Sequence, residues 1–131
     1  MTRSEANIQN DILIALSKAG ATVFRNNTGM GWVGMGLDGK PAQPCRKVMQ
    51  VTVYPGDVVI RNARPLHAGL VKGGSDIIGW NACGLFTAVE VKKTTGRATE
   101  DQLRFIEAVR AKGGRAGVAR SVEDALRILE G

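Results

Sequence analysis

The stretch of sequence that decides the fold is residues 73–92, GGSDIIGWNACGLFTAVEVK. Asp76 ends a Gly-Gly-Ser turn, and a second strand-like run carries Glu90 and Lys92. Side chains alternate between the two faces of a β-strand, so Glu90 and Lys92 point the same way. If the two runs pair as a hairpin near that end, Asp76 comes within reach of Glu90. The stretch therefore predicts two carboxylates and an ammonium close together.

Such a cluster has a chemical consequence. Two carboxylates beside an ammonium are costly to bury, because like charges repel and each ion loses water. A divalent cation removes that cost, and oxygen ligands of this kind suit Mg²⁺ or Mn²⁺. The lysine could then orient or activate a water, or stabilise charge on a phosphate. An exposed strand with an alternating charge pair is the alternative, but the preceding run Phe86-Thr-Ala-Val is apolar. The pattern favours a phosphodiester-cleaving site.

These residues resemble the signature of the PD-(D/E)XK nuclease superfamily. The matching residues are Ser75-Asp76 and Glu90-Val91-Lys92, with serine in the place of the superfamily's proline. Gln102, in the run Thr99-Glu-Asp-Gln102, resembles the glutamine that follows the E-x-K strand. Together with Glu5, the pattern looks most like the VRR-NUC branch, in its small stand-alone viral, prophage or bacterial form.

The resemblance implies a fold and a set of ligands. The expected fold is α/β, a restriction-endonuclease-like core in which a mixed β-sheet is flanked by helices. Asp76 and Glu90, with the carbonyl of Val91, would hold one or two Mg²⁺ or Mn²⁺ ions. Lys92 would serve the attacking water or the phosphate.

Two further site residues implied by the resemblance also have local structural interpretations. Glu5 lies early in an amphipathic helix predicted over residues 2–19, and Thr2-x-x-Glu5 is a capping-box pattern. By the resemblance, Glu5 is an acidic group that faces the metal site. Gln102 follows Thr99 at capping-box spacing, and by the resemblance it orients the lysine or the phosphate. Both interpretations stay open for each residue.

The remaining periodic segments alternate between strand and helix. They comprise strands at residues 21–25 and 115–119, a helix that Thr99 caps and that runs to about Lys112, and a last helix that Ser121 caps and that runs through Leu129. This alternation predicts an α/β core with a mixed sheet.

A hairpin-like excursion is expected in the middle of the chain. It covers residues 26–69 and includes strand candidates at residues 48–53 and 57–60. Glycine patterns within it lack the strand and helix that would make them nucleotide-binding loops. We predict one domain over residues 1–131, with the excursion inserted in it.

The charge of the chain indicates a polyanionic partner. Its 131 residues carry a formal charge of +6, with a pI near 9.8. Basic domains gain affinity for nucleic acid by releasing counterions from the phosphate backbone.

A solvated basic hairpin with a locally packed tryptophan is the alternative for the excursion. The candidate DNA contacts are Arg25, Trp32, Arg46, Lys47, Lys72, Lys93 and Arg97.

The location of the protein follows from simple absences in the sequence. No apolar run reaches the length of a membrane span, and the N-terminus does not lead into a signal-peptide core. Cys45 and Cys83 lie far apart without a CxxC pattern or a histidine partner. We therefore expect a cytoplasmic protein, in a bacterial host cell if a virus or prophage encodes it.

The combined prediction is a metal-dependent, structure-selective DNA endonuclease. A chain this short leaves little room for a module that reads base sequence, so branched DNA such as a Holliday junction is the expected substrate. Cutting both strands symmetrically would need two active sites, hence a homodimer. The alternatives are a flap or duplex nuclease and a non-catalytic DNA-binding module on a nuclease-like fold. A further alternative is an RNA-processing or tRNA-intron-type endonuclease, whose cleavage would not depend on this carboxylate pair or on a metal.

Overall fold

The computed structural model of the chain describes residues 3–27, 29–30, 45–60 and 67–131. These residues fall into two units, one of residues 1–28 with 69–131 and one of residues 29–68. The second unit corresponds closely to the excursion predicted at residues 26–69. That the whole chain forms one domain stays a prediction.

The described residues form helices and strands that alternate along the chain. In order they are α1 (Glu5–Lys18), β1 (Thr22–Arg25), β2 (Gly29–Met30), β3 (His67–Ala68), β4 (Ile77–Trp80), β5 (Phe86–Val91), α2 (Glu100–Ala111), β6 (Arg115–Ala119) and α3 (Val122–Glu130). None of these helices is long and apolar enough to cross a membrane.

The first unit is built on a mixed sheet with the strand order β1-β4-β5-β6. The pairs β1–β4 and β4–β5 are antiparallel, and β5–β6 is parallel. A parallel pair needs a crossover, which α2 provides between β5 and β6. Helices and a mixed sheet confirm the predicted α/β class, consistent with a restriction-endonuclease-like core.

Helices cover both faces of this sheet, which explains the nearly continuous apolar run in β5. On one face, Val89 and Val91 pack in a core with α1 and α3, through residues such as Ile12 and Ala125. On the other face, Ala88 packs with residues of α2 and β6. Strand alternation places Glu90 on this second face, the face that α2 covers.

Each helix begins at a hydroxyl residue that satisfies a free backbone N–H group. Ser4 caps α1, Thr99 caps α2 and Ser121 caps α3. The predicted caps at Thr99 and Ser121 are confirmed. At α1 the cap is Ser4, so Glu5 is the first helical residue and does not occupy the third position that a capping box requires.

In the second unit, β2 and β3 pair antiparallel, with Gly29 opposite Ala68. The strands predicted at residues 48–53 and 57–60 are wrong, because both segments are irregular in the structure. Their apolar side chains are exposed, so the alternation does not mark a buried face. A β-propensity is realised only where a partner strand and a covered face are present.

Candidate active site

The hairpin of β4 and β5 brings Asp76 and Glu90 together. Ile77 lies opposite Val89 in the ladder, so Asp76, one residue before β4, lies opposite Glu90. Asp76 Oδ2 accepts a hydrogen bond of 2.9 Å from the backbone N–H of Val91. A side-chain oxygen therefore continues the ladder where the backbone of β4 ends.

Glu90 is the centre of the cluster and is only 1% exposed. Its Oε1 accepts a 2.7 Å hydrogen bond from Nε2 of Gln102 and lies 3.2 Å from Nζ of Lys92. Its Oε2 is buried without a hydrogen-bond partner in the described part of the chain. One oxygen is thus held by two donors, while the other is left for a further partner.

Burial and a neighbouring carboxylate disturb the ionisation of Glu90. Burial first, and then the charge of Asp76, raise the pKa of Glu90 from its usual 4.5 to about 7. The hydrogen bond and charge of Lys92 oppose this rise without cancelling it. Near neutral pH the site therefore holds a carboxyl group that a cation would ionise.

Lys92 approaches Glu90 from the end of β5. Its side chain is 15% exposed, and its backbone N–H donates to the carbonyl of Ala119 over 3.0 Å. A Cβ atom added at Gly96 would lie 3.4 Å from Cδ of Lys92, so the lysine stem packs against the loop that follows β5. This contact directs the ammonium toward the carboxylates.

Gln102 belongs to both the helix cap and the site. Its side-chain Oε1 accepts a hydrogen bond of 2.8 Å from the backbone N–H of Thr99. The backbone N–H of Gln102 in turn donates to Oγ1 of Thr99 over 3.2 Å. This reciprocal pair is a capping box. Because the amide oxygen is occupied by Thr99, the NH₂ group faces Glu90. The predicted capping box is confirmed; the predicted site role stays a prediction.

Glu5 lies apart from this cluster in its contacts. It is exposed, and no hydrogen bond or ion pair joins it to another residue that the structure describes. Ser4 Oγ accepts from the N–H of Asn7 over 3.2 Å and accounts for the helix start. The geometry brings together Asp76, Glu90 and the later residues, but not Glu5.

The candidate DNA-binding residues are distributed over both units. Lys93 and Arg97 lie exposed in the loop after β5. Nζ of Lys72 lies 3.6 Å from Oδ2 of Asp101. Arg25 ends β1 and contacts the side chain of Asn10. In the second unit Arg46 and Lys47 are exposed, and Trp32 lies outside the described residues.

Sequence reasoning missed two residues that hold the site's loops. The buried side chain of Asn26 forms hydrogen bonds with the backbone of Leu70 and of Ser75, in the segment that precedes Asp76. Arg120 donates to the carbonyls of Lys93 and Gly96 over 2.7 and 2.6 Å, which ties down the loop after Lys92. In the sequence Asn26 is only part of a turn signal, and Arg120 only precedes a helix cap.

Comparison with known proteins adds the family. A family model described as the VRR-NUC domain matches residues 56–123, more than half of the chain. The match includes Asp76, Glu90, Lys92 and Gln102 and leaves out Glu5. No curated protein matches the chain. The family match indicates a nuclease and confirms the resemblance drawn from the sequence. The chain belongs to the VRR-NUC domain family.

Proposed function

We propose that this protein is a metal-dependent, structure-selective DNA endonuclease that acts on branched DNA. The observation that carries the proposal is that Lys92 and Gln102 hold the buried carboxylate of Glu90, which lies opposite Asp76 in the β4–β5 hairpin. Binding DNA alone would not require a buried glutamate with a raised pKa. Perturbed, paired ionisable groups are typical of catalytic sites.

The donor atoms of the site fit a hard divalent cation. Glu90 Oε2 is buried and unpartnered among the described residues, and the Val91 N–H engages only one oxygen of Asp76. The carbonyl of Val91 points to the same side of β5 as its N–H group, which bonds Asp76. No cluster of three or more His, Cys, Asp and Glu side chains occurs in the described residues, so a backbone carbonyl is a reasonable third ligand.

We assign the ligands accordingly, with Asp76, Glu90 and the carbonyl of Val91 holding Mg²⁺ or Mn²⁺. When bound, such an ion supplies Lewis-acid chemistry that neutralises carboxylate charge and polarises a phosphate oxygen. A water then attacks phosphorus in line with the leaving oxygen. The water gives up a proton, the bridging P–O bond breaks, and the leaving oxygen gains a proton.

Lys92 and Gln102 have separate tasks in this proposal. Lys92 presents N–H donors beside Glu90, where it orients the attacking water or stabilises the charge that develops on the phosphate. Gln102 is a positioning residue, because its NH₂ group holds Oε1 of Glu90 and leaves Oε2 toward the cation. By the family resemblance, Glu5 is proposed as an additional acidic group that faces the metal site or its water.

DNA contact is assigned to the basic side chains named from the sequence. In the first unit these are Arg25, Lys72, Lys93 and Arg97, and in the second they are Arg46 and Lys47, together with Trp32. Lys93 and Arg97 follow Lys92 in the exposed loop after β5, where they can contact a phosphate backbone that reaches the site. We place the activity in the cytoplasm, where the free thiols of Cys45 and Cys83 are stable.

Symmetric cutting of a junction would require two sites, so we propose a homodimer. Light scattering at micromolar concentration should give twice the chain mass of 13.9 kDa. A monomer at that concentration, with symmetric cutting retained, would contradict the dimer.

The central test is cleavage of labelled four-way junction, flap, linear duplex and single-stranded DNA with Mg²⁺, Mn²⁺ or EDTA. Paired symmetric incisions in the junction, lost with EDTA, are expected. Glu90→Gln should abolish them, while Glu107→Gln, an exposed change on α2, should not.

Other outcomes select the alternatives. Preferential cutting of flaps or plain duplex would keep the site and replace the substrate. Cleavage that persists in EDTA and in Glu90→Gln would contradict the site itself. Binding without cleavage of any substrate would indicate a non-catalytic module.

A further inference from the structure

Asn26 is a buried polar residue that takes no part in the chemistry proposed for the site. It directly follows β1 and is 8% exposed. Its backbone N–H donates to the carbonyl of Asp76 over 2.7 Å. This bond extends the β1–β4 ladder by one pair beyond Arg25 and Ile77.

The side chain of Asn26 binds the segment that leads into Asp76. Its Nδ2 donates to the carbonyl of Ser75 over 3.1 Å, and its Oδ1 accepts from the N–H of Leu70 over 3.3 Å. One side-chain amide therefore holds both ends of the Leu70–Ser75 loop. Since Asn26 and Ser75 are 49 residues apart, the contact exists only in the folded chain.

The opposite side of this loop is also fixed. A Cβ atom at Gly73, whose φ is +84°, would lie 2.5 Å from the backbone carbon of Asp101 at the start of α2. The loop is thus packed against α2 on one side and hydrogen-bonded to Asn26 on the other. Any displacement of the loop moves the backbone of Asp76.

We propose that Asn26 is a positioning residue for Asp76. It acts through the main chain of Ser75 and Asp76 to set the carboxylate that bonds the Val91 N–H. The consequence for cleavage rests on the proposed nuclease function, whereas the consequence for geometry does not.

The amide is better suited to this role than a carboxylate would be. Asn26→Asp keeps the shape and the acceptor for Leu70 but removes the donor to Ser75. A carboxylate oxygen in the place of the amide nitrogen would also face the carbonyl oxygen of Ser75 and repel it. Alanine removes donor and acceptor together.

The test reads the position of Asp76 through amide exchange. The Val91 N–H bonds to the Asp76 side chain, while the next amide, Lys92, bonds to Ala119 in β6. We would measure both rates by NMR in Asn26→Ala and Asn26→Asp. The controls are Asn27→Ala, an exposed neighbour, and Ala125→Gly, which destabilises α3 without touching the loop.

If Asn26 positions Asp76, the exchange rate of Val91 should rise about 10-fold or more relative to that of Lys92 in both Asn26 variants. The Kd for Mn²⁺ should rise about 10-fold, as is typical when a residue that supports a metal ligand is lost. Neither control should separate the two amides. Should Asn26→Ala fail to fold, the near-isosteric Asn26→Asp decides alone.

Equal changes at Val91 and Lys92, with Mn²⁺ affinity unaltered, would mean that Asn26 only stabilises the fold and would overturn the proposal. This failure is distinct from failure of the nuclease function. A wild-type protein that cuts no DNA would still give an interpretable exchange result. Conversely, a wild-type protein that cuts DNA, with equal exchange changes at Val91 and Lys92 in the Asn26 variants, would refute the positioning role alone.

Discussion

The two oxygens of Glu90 have different surroundings, and this asymmetry organises the site at the scale of residues. Oε1 is held by Lys92 and Gln102, and Oε2 is buried without a described partner. Removing a carboxylate from water without full compensation is costly. Without a cation, the protonated form of Glu90 is therefore favoured up to a pH of about 7, the raised pKa of this carboxyl group.

This cost predicts an unusual pH dependence of stability in metal-free protein. The pKa of Glu90 is about 7 in the folded state against 4.5 ordinarily, so between these values the folded state holds a proton that the unfolded chain lacks. The free energy of unfolding should then fall as pH rises through this window, by on the order of 2 kcal/mol between pH 5.5 and pH 8.

Urea denaturation in EDTA at pH 5.5 and pH 8 measures this fall. Glu90→Gln cannot ionise and should lose that part of the dependence, while Glu107→Gln should keep it. Identical pH slopes for wild type and Glu90→Gln would contradict the shifted pKa.

Removal of the Lys92 charge should impair catalysis more than binding. Lys92→Met keeps a long stem against Gly96 but removes the ammonium. We expect the cleavage rate constant to fall about 100-fold, the usual cost of one transition-state donor, with DNA affinity nearly unchanged. Lys112→Met, at the exposed end of α2, is the matched control. Near-wild-type cleavage by Lys92→Met would exclude the assigned role.

At the scale of elements, the start of α2 serves as both a helix terminus and a wall of the site. Thr99 and Gln102 satisfy each other's backbone N–H groups, which leaves the Gln102 NH₂ free for Glu90. The same helix start contacts the loop before β4 at Asp101. These two contacts fix the position of α2 relative to the β4–β5 hairpin at the site.

Two glycines separate the effect of this packing from that of backbone strain. Gly73 and Gly84 both have positive φ, +84° and +78°, but only Gly73 lacks space for a Cβ atom. Gly84→Ala should cost about 1 kcal/mol, the price of the left-handed conformation alone. Gly73→Ala should cost more and should also lower cleavage, because it pushes the loop away from α2. Equal losses of stability and full cleavage by both variants would contradict the packing role.

At the scale of the whole molecule, the net charge of +6 should make DNA binding strongly dependent on salt. Each phosphate contact releases counterions, so Lys93→Gln and Arg97→Gln should each reduce the slope of log K against log salt by about 1. Lys18→Gln is the control, because Lys18 lies far from the site. The chain after α1 passes near Ala82, in the turn of the β4–β5 hairpin, and Asp76 lies at the opposite end of that hairpin. Unchanged slopes in both loop variants would remove them from the DNA interface.

Much of the fold was predictable because its signals are local. The caps at Thr99 and Ser121, the apolar run of β5, and the spacing of Glu90 and Lys92 all arise within a few residues. Where a local signal had no tertiary support it misled, as in the alternating residues 48–53, which form no strand.

By itself the sequence determined which residues could form the site, Asp76, Glu90, Lys92 and Gln102, and the α/β class that holds them. Only the tertiary structure decided that Glu90 is buried, with one oxygen that has no partner among the described residues. It likewise decided that Glu5 has no described contact with the cluster and that Asn26 holds the loop before Asp76. The physical reason is distance along the chain. Side-chain type and the alternation of side chains along a strand depend only on neighbouring residues. Burial, the interaction between charges and a hydrogen bond across 49 residues exist only once the chain has packed.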